Sequence, residues 1–386
     1  MTDARVLPDG REKRHASWLE LFYDLLFVAL FAQLAHGLVA DPGLGTTFKV
    51  LGFFAPAWWA WVSYTVSSNL FGESGPGHRV LVLLNMGCLL LMTAGVASGL
   101  DGDVALYAAG FAASRVVMLV LVAAWHLAHP DDRPPSASYI CYSVSAVLWA
   151  VSIPLGTPGA YGLWAVSIGV ELVIRIREQI GVQPSVGAVR FDIELLVERF
   201  GLLVIVALGE GVVQIAAAMA QIEPSSKVVM TGLAGFGILA SLWSSYFDFA
   251  SANMTVAFED ARVDPDPRHR AFALVRDVFV FGHFALVGAV LAASAGLGAI
   301  VGAAVTDTDF TGDLRLLCDA LVVYVLVGAA ISIRVTGEAT RMIAGTLPCL
   351  AALAVVAAFA DRFSPAVSLA TVLAIMIAGR LGPDRP

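Results

Sequence analysis

The residues of this chain with chemistry to offer are ionisable side chains set inside otherwise apolar runs. Glu210 lies deepest, ten residues beyond Phe200, between Gly209 and Gly211, with Gln214 one helical turn further along the same face. A carboxyl group at that depth can hold and release a proton near neutral pH. The glycines leave space beside it for water or for a second helix backbone. Arg115 in another run, and Arg276 with Asp277 in a third, are the candidate counter-charges. His283 follows Arg276 by seven residues and shares its face. Its imidazole either changes charge between pH 5 and 8 or serves as a neutral contact between helices. Charges inside a bilayer are costly, so each is a functional candidate by default.

Nearer the start, Glu20 and Asp24 stand four residues apart on one helical face. They can cap the helix N-terminus or pair with arginine at the membrane interface; alternatively they form a site for a cation or proton. Both readings stay open. Gln33 and His36 fall on roughly the opposite face, further along. Glu198 and Asp248, each at the edge of an apolar run, join Glu20 and Asp24 in a set of carboxylates expected near the cytoplasmic face. Asp248, and Glu171 beside Arg175, read as interfacial. Trp58, Trp61 and Tyr64 form a stripe, with Trp59 adjacent, that reads as lipid-facing aromatic packing ahead of a ligand box.

Other chemistries find no support. There is no Walker A loop, dinucleotide fingerprint, HExxH or nucleophile elbow. Cys88, Cys141, Cys318 and Cys349 lie inside apolar runs without metal-ligand spacing, and read as small buried hydrophobes. No cofactor or metal is expected. The net charge of −8 is spread over loops without a basic block, which excludes nucleic acid as a partner.

The elements that must position these groups follow from composition. Hydrophobic residues make up 58% of the chain and charged residues 14%, with a mean hydropathy of +0.80. That charged share is about half of what a soluble domain carries, so the bilayer is the solvent. About 20 apolar residues are needed to cross it. Runs of that kind predict about twelve transmembrane helices: Trp18–Val39, Phe48–Leu70, Arg79–Leu100, Val104–Leu127, Ala137–Leu155, Tyr161–Ile176, Phe200–Gln221, Val228–Ala250, Ala271–Ala293, Leu314–Ile333, Met342–Ala360 and Pro365–Arg380. Ala295–Ala304 extends the ninth span or forms a re-entrant piece. The segment Ser251 to Arg270, acidic and basic together, reads as a solvated connection. With this count, all but Lys49, Lys227, Arg315 and Arg362 of the basic residues outside the spans fall on one side, which places both termini in the cytoplasm. The polar N-terminal tail, residues 1–17, lacks the features of a cleaved signal peptide.

Two halves of the sequence also match each other. Glu20 to Leu30 reads E-L-F-Y-D-L-L-F-V-A-L, and Glu198 to Leu208 reads E-R-F-G-L-L-V-I-V-A-L. Trp61-Val-Ser-Tyr64 answers Trp243-Ser-Ser-Tyr246, and His78-Arg79 answers His269-Arg270. The order predicts two parallel six-helix repeats, 18–185 and 186–386, related by an axis along the membrane normal.

These segments carry a family resemblance. Trp18-Leu-Glu-Leu-Phe-Tyr-Asp-Leu-Leu-Phe-Val28, followed by Gln33 and His36, resembles the opening signature of the bacterial low-temperature-requirement A (LtrA) family. Glu198 to Glu210 resembles its second signature and Trp243 to Asp248 a third, so the likeness spans nearly the whole chain. It implies a polytopic protein of the bacterial inner membrane, and fixes no substrate or reaction. Gly211-Val-Val follows Glu210 where a serine is expected, so no role resting on a hydroxyl carries over.

The expected function is a proton- or cation-coupled secondary transporter, and not an enzyme. Glu210 would bind the proton, Gln214 and His283 would line the route, and Arg115 or Arg276 would supply the counter-charge. Glu20 and Asp24 would stand at the cytoplasmic mouth. The partners are then the lipid bilayer and a small ion or small molecule; a homo-oligomer stays open. An ion channel needs the same polar residues without alternating access. An intramembrane enzyme or lipid-binding protein instead requires the cytoplasmic-side carboxylates to meet around one cavity.

Overall fold

The computed structural model describes residues 15–71, 75–128, 136–181, 192–220, 225–262 and 267–379. In chain order the helices are α1 (Trp18–Ala40), α2 (Leu44–Phe71), α3 (Gly75–Leu100), α4 (Ala105–Ala128), α5 (Ser136–Ser152), α6 (Thr157–Gly181), α7 (Ile193–Met219), α8 (Ser226–Arg262) and α9 (Pro267–Leu274). A π-helix, Val275–Gly282, leads into α10 (His283–Thr306); α11 (Thr311–Thr336), α12 (Ala339–Ala358) and α13 (Pro365–Ala378) follow. Among the described residues the regular structure is entirely helical. Without water in the hydrocarbon layer every backbone polar group must be satisfied within its own segment, which a helix does.

Nine of these helical stretches are long and apolar enough to cross a membrane, and Ser138–Ser152 and Pro365–Ala378 are shorter apolar helices. Large apolar side chains stand exposed along them, among them Leu83, Leu84, Leu90 and Leu91 on α3, and Val212 and Val213 on α7. Lipid is the solvent that tolerates such surfaces. The chain is thus a multi-pass helical membrane protein. Helix α2 falls outside the nine for an instructive reason. Its second half carries Ser63, Thr65, Ser67, Ser68 and Asn69, yet every residue from Ala57 to Thr65 is buried. Its polar side chains therefore face protein and not lipid.

Several boundaries differ from expectation. Helix α8 runs on to Arg262, so much of the connection expected from Ser251 is helical. Helix α7 begins at Ile193, seven residues before Phe200, because Asp192 caps it: its Oδ1 accepts the Leu195 N–H at 3.1 Å. Glu198 and Arg199 therefore stand inside the helix. Ala295–Ala304 continues the ninth span, and nearly all of it is buried. Most of the N-terminal tail, residues 1–14, lies outside the described residues.

The helices fall into two compact units, Met1–Ala29 with Pro56–Leu203, and Leu30–Ala55 with Val204–Pro386. Helices α1, α2 and α7 contribute to both. In the first unit α3 packs on α4, α4 on α5, and α5 on α6. The α3–α4 approach is close enough that a Cβ on Gly95 would lie 2.5 Å from the backbone nitrogen of Tyr107. In the second unit α10 packs on α11, α11 on α12, and α13 on α8.

Candidate functional site

The first two turns of α1 and of α7 bring three buried charges together in the first unit. Ser17 and Glu20 form a capping box: the Ser17 N–H donates to Glu20 Oε2 at 2.9 Å, and the Glu20 N–H to Ser17 Oγ at 3.2 Å. The cap occupies one carboxylate oxygen. The other, Oε1, accepts the hydroxyl of Ser68 from α2 and lies 3.7 Å from Arg199 Nη1. One turn on, Asp24 Oδ1 accepts from Arg199 Nη2 and from Trp61 Nε1, both at 2.7 Å. Arg199 is 1% exposed, and its guanidinium stands 5.5 Å from the Trp61 ring and 5.4 Å from the Tyr64 ring. Those π faces stabilise a cation where water cannot reach it.

A second pair sits deeper in the same unit. Arg115 on α4 is fully buried, donates to Ser63 Oγ at 3.0 Å, and lies 3.8 Å from Glu171 Oε2. Trp59 Nε1 donates to the same Glu171 oxygen at 2.7 Å. Tyr23 connects the two groups. Its ring stacks on Tyr64 at 4.0 Å; its hydroxyl accepts from Asn85 Nδ2 at 3.2 Å; and Asn85 Oδ1 accepts from Ser114, the neighbour of Arg115, at 2.7 Å.

Among the described residues of the unit, three carboxylates (Glu20, Asp24, Glu171) and two guanidiniums (Arg115, Arg199) are buried. Burying such groups is costly unless they are paired. Arg115 stands beside Glu171, and Arg199 stands beside both Glu20 and Asp24. Asp24 Oδ2 is buried and accepts no hydrogen bond from any described residue.

Beside this cluster α2, α3 and α4 enclose a cavity of about 540 Å³. Tyr64, Ser67 and Ser68 line it from α2, His78 from α3, and Leu121 and Trp125 from α4. Ser68 belongs to both places, since the residue lines the cavity and its hydroxyl donates to Glu20.

The other candidate residues take different surroundings. In the second unit Glu210 is 2% exposed and accepts from Gln214 Nε2 at 2.8 Å, so the expected i,i+4 pair forms. The glycines nearby are needed for packing: a Cβ on Gly211 would lie 2.6 Å from Ser294 Oγ, and one on Gly298 would lie 2.7 Å from Gln214 Cβ. His283 is buried, with Nδ1 2.9 Å from the Val278 carbonyl and Nε2 2.8 Å from the Tyr246 hydroxyl. The carbonyl only accepts, so Nδ1 carries hydrogen, and a neutral ring satisfies both contacts. Arg276 and Arg334 pair with Asp277 at 2.7 and 2.9 Å, each partly exposed. Glu198 Oε2 lies 3.5 Å from His15 Nδ1 and accepts from the Ala16 N–H at 3.4 Å, immediately before the Ser17 cap of Glu20. Asp248, exposed in the second unit, accepts from Ser244 at 2.6 Å. Gln33 and His36 are exposed.

Three readings change. Arg115 takes its carboxylate from Glu171, which is 1% exposed, and not from Glu210. The stripe of Trp58, Trp59, Trp61 and Tyr64 is buried throughout, so it packs against protein and not lipid. Arg199, read only as a basic residue at a membrane face, is the hub of the cluster. Its position immediately before Phe200, directly after Glu198, was the available signal.

A family model described as bacterial low temperature requirement A protein (LtrA) matches residues 15–378. The uncharacterized protein RA0937 of Rhizobium meliloti (strain 1021) is 25% identical over 302 residues, which cover 75% of this chain and 70% of that protein. No solved structure matches the chain.

Proposed function

This chain belongs to the bacterial low temperature requirement A family, and from that premise we propose that it is a proton-coupled secondary transporter of the inner membrane. The observation that carries the reading is the buried Asp24 carboxyl, whose Oδ1 meets Arg199 and Trp61 while Oδ2 accepts no hydrogen bond from any described residue. That oxygen can take a proton or face a bound cation. A coupled transporter requires such a group, whose occupancy by one species excludes the other.

In this reading the nine long apolar helices, with α2, α5 and α13, make twelve spans in two six-helix halves, both termini cytoplasmic. The cluster then lies towards the cytoplasmic end of α1, where protons or substrate arrive through the cavity beside Ser68. Arg199 sets the affinity of the pair for a proton, because it stands within reach of both carboxylates. Glu210 with Gln214 is the protonatable step of the second unit.

Reconstituted liposomes with an internal pH dye test this. Under an imposed proton gradient, the wild-type protein should carry protons. Asp24→Asn, which keeps the shape and removes the charge, should abolish the flux with the thermal midpoint retained. Undiminished flux in Asp24→Asn sinks the assignment. Glu210→Gln should slow the flux; an unchanged rate would make Glu210 a packing residue.

A further inference from the structure

We propose that the cavity between α2, α3 and α4 seats an anionic phospholipid. Its phosphate lies at the membrane face beside His78 and Arg79, and an acyl chain runs inward along the outer faces of α3 and α4. Binding at this site does not rest on the transporter reading. In that reading the seated lipid stands at the entry beside Ser68 and leaves it to protons rather than to a bulkier substrate.

The place of the cavity in the fold points to such an occupant. Its lining residues all lie within seven residues of a helix end: Tyr64 to Ser68 before α2 closes at Phe71, Gly77 to Leu81 after α3 opens at Gly75, and Leu121 to Ala128 where α4 closes. At 1.5 Å per residue that is about 10 Å of depth, which takes in the headgroup layer and the first part of the hydrocarbon. The α3 and α4 backbones meet in the half next to their shared loop. There a Cβ on Gly95 would lie 2.5 Å from the Tyr107 nitrogen, and one on Gly110 would lie 2.8 Å from the Met92 nitrogen. The cavity, about 540 Å³, takes up the opposite half, and its volume is in the range of sites for small organic molecules.

The rim is continuous with a lipid-facing surface. Val80 lines the cavity yet is exposed, and Leu84 and Leu91 carry the same exposed face along α3. On α4, Ala128 and Ala124 line the cavity, and Val120 and Val116, both exposed, follow at four-residue steps. Two apolar stripes therefore lead from the rim towards the middle of the spans, as a track for a hydrocarbon chain. Charge selects the head. The wall carries hydroxyls from α2 and the His78 imidazole, and among the described residues no carboxylate. Glu20 lies behind Ser68, held against Arg199 and outside the wall. Arg79, between the lining residues His78 and Val80, is exposed at the same mouth. A lipid phosphate meets a cation there, whereas the ammonium of a zwitterionic head meets no acid in the wall. Basic side chains so placed favour anionic lipid.

The test uses the full chain in nanodiscs of phosphatidylethanolamine, into which phosphatidylglycerol with brominated acyl chains is titrated. Bromine quenches tryptophan fluorescence, and Trp125 lines the cavity; its share of the signal is the difference from Trp125→Phe. That share should fall saturably at a low fraction of phosphatidylglycerol. Brominated phosphatidylethanolamine in the same host should quench only in proportion to its share of the lipid. Arg79→Gln should raise the half-saturating fraction about fivefold, the weight of one basic side chain near anionic lipid, and Arg79→Lys should preserve it. Ala124→Phe, which fills the cavity from its rim, should abolish the saturable part; Ala124→Leu is a smaller filler should the first variant fail to fold. Quenching by phosphatidylglycerol that rises only in proportion to its fraction is ordinary bilayer contact and overturns the site. Saturation unchanged in Arg79→Gln overturns the placement of the head. Saturation unchanged in both folded fillers overturns the location. No flux enters the measurement, so each outcome stands whatever the chain transports.

Discussion

The same two residues, a tryptophan and a tyrosine three positions later, serve opposite chemistries in the two units. In α2, Trp61 donates to Asp24 and flanks Arg199, while Tyr64 stacks on Tyr23 beside the same guanidinium. In α8, Trp243 is half exposed, and Tyr246 meets a neutral His283 that is satisfied by a backbone carbonyl. What differs is the group each pair meets. In the first unit Glu20 and Asp24 share one face of α1, and Arg199 from α7 stands beside both. In the second unit Tyr246 meets an imidazole, and its ring packs on Phe247 as that of Trp243 does. The ion chemistry of the first unit is therefore supplied by its carboxylates and arginine, and the aromatic residues accommodate it.

The sharpest way to break this contrast is to remove the cation. Arg199→Gln removes the guanidinium that Glu20 and Asp24 share, and the expected loss is about 3–5 kcal/mol. It should appear as a large drop in thermal midpoint and in the yield of monodisperse protein. Adding Asp24→Asn removes one of the two carboxylates and should restore part of the loss. An Arg199→Gln protein as stable as wild type would mean that the cluster does not depend on its ion pair.

A smaller effect is expected on the neutral side. Tyr246→Phe keeps the ring against His283 and Phe247 but leaves Nε2 of His283 without its donor. An unsatisfied buried acceptor costs about 1–3 kcal/mol. The thermal midpoint should fall less than in Arg199→Gln, with proton flux unchanged. A shifted pH profile of flux would instead place His283 on the proton route.

Much of this contrast was legible in the sequence, and its limits have physical causes. Apolar runs of spanning length marked nearly every helix, because the bilayer imposes that length on any sequence. Glu20 and Asp24 were legible from their four-residue spacing. Glu171 and Arg115 were not legible as a pair, since 56 residues and the whole of α5 separate them and helical periodicity reports only neighbours on one helix. The aromatic stripe was misread because lipid and protein interior are equally apolar, so hydrophobicity alone cannot say which one a tryptophan faces. Arg199 was hidden by its place at the start of a run, where an arginine ordinarily marks a membrane boundary.

The smallest effect tests whether burial, and not charge as such, sets these stakes. Lys227 and Asp307 form an ion pair of 2.8 Å at the opening of α8 and the end of α10, as short as those at Arg199 but largely exposed. The Lys227 ammonium holds the Asp307 carboxyl below its ordinary range, first through their hydrogen bond and then through its charge. A depressed folded-state value means that the pair contributes stability above the unfolded value of about 3.9. That contribution disappears as pH falls through the folded value. Surface pairs are worth little and are screened by salt. Asp307→Asn should therefore move the thermal midpoint only slightly at pH 7, and the difference should vanish in about 1 M salt, where the Debye length is about 3 Å. It should vanish equally in acid, below the folded value. A shift at pH 7 comparable to that of Arg199→Gln would refute the argument that burial gives the α1–α7 cluster its weight.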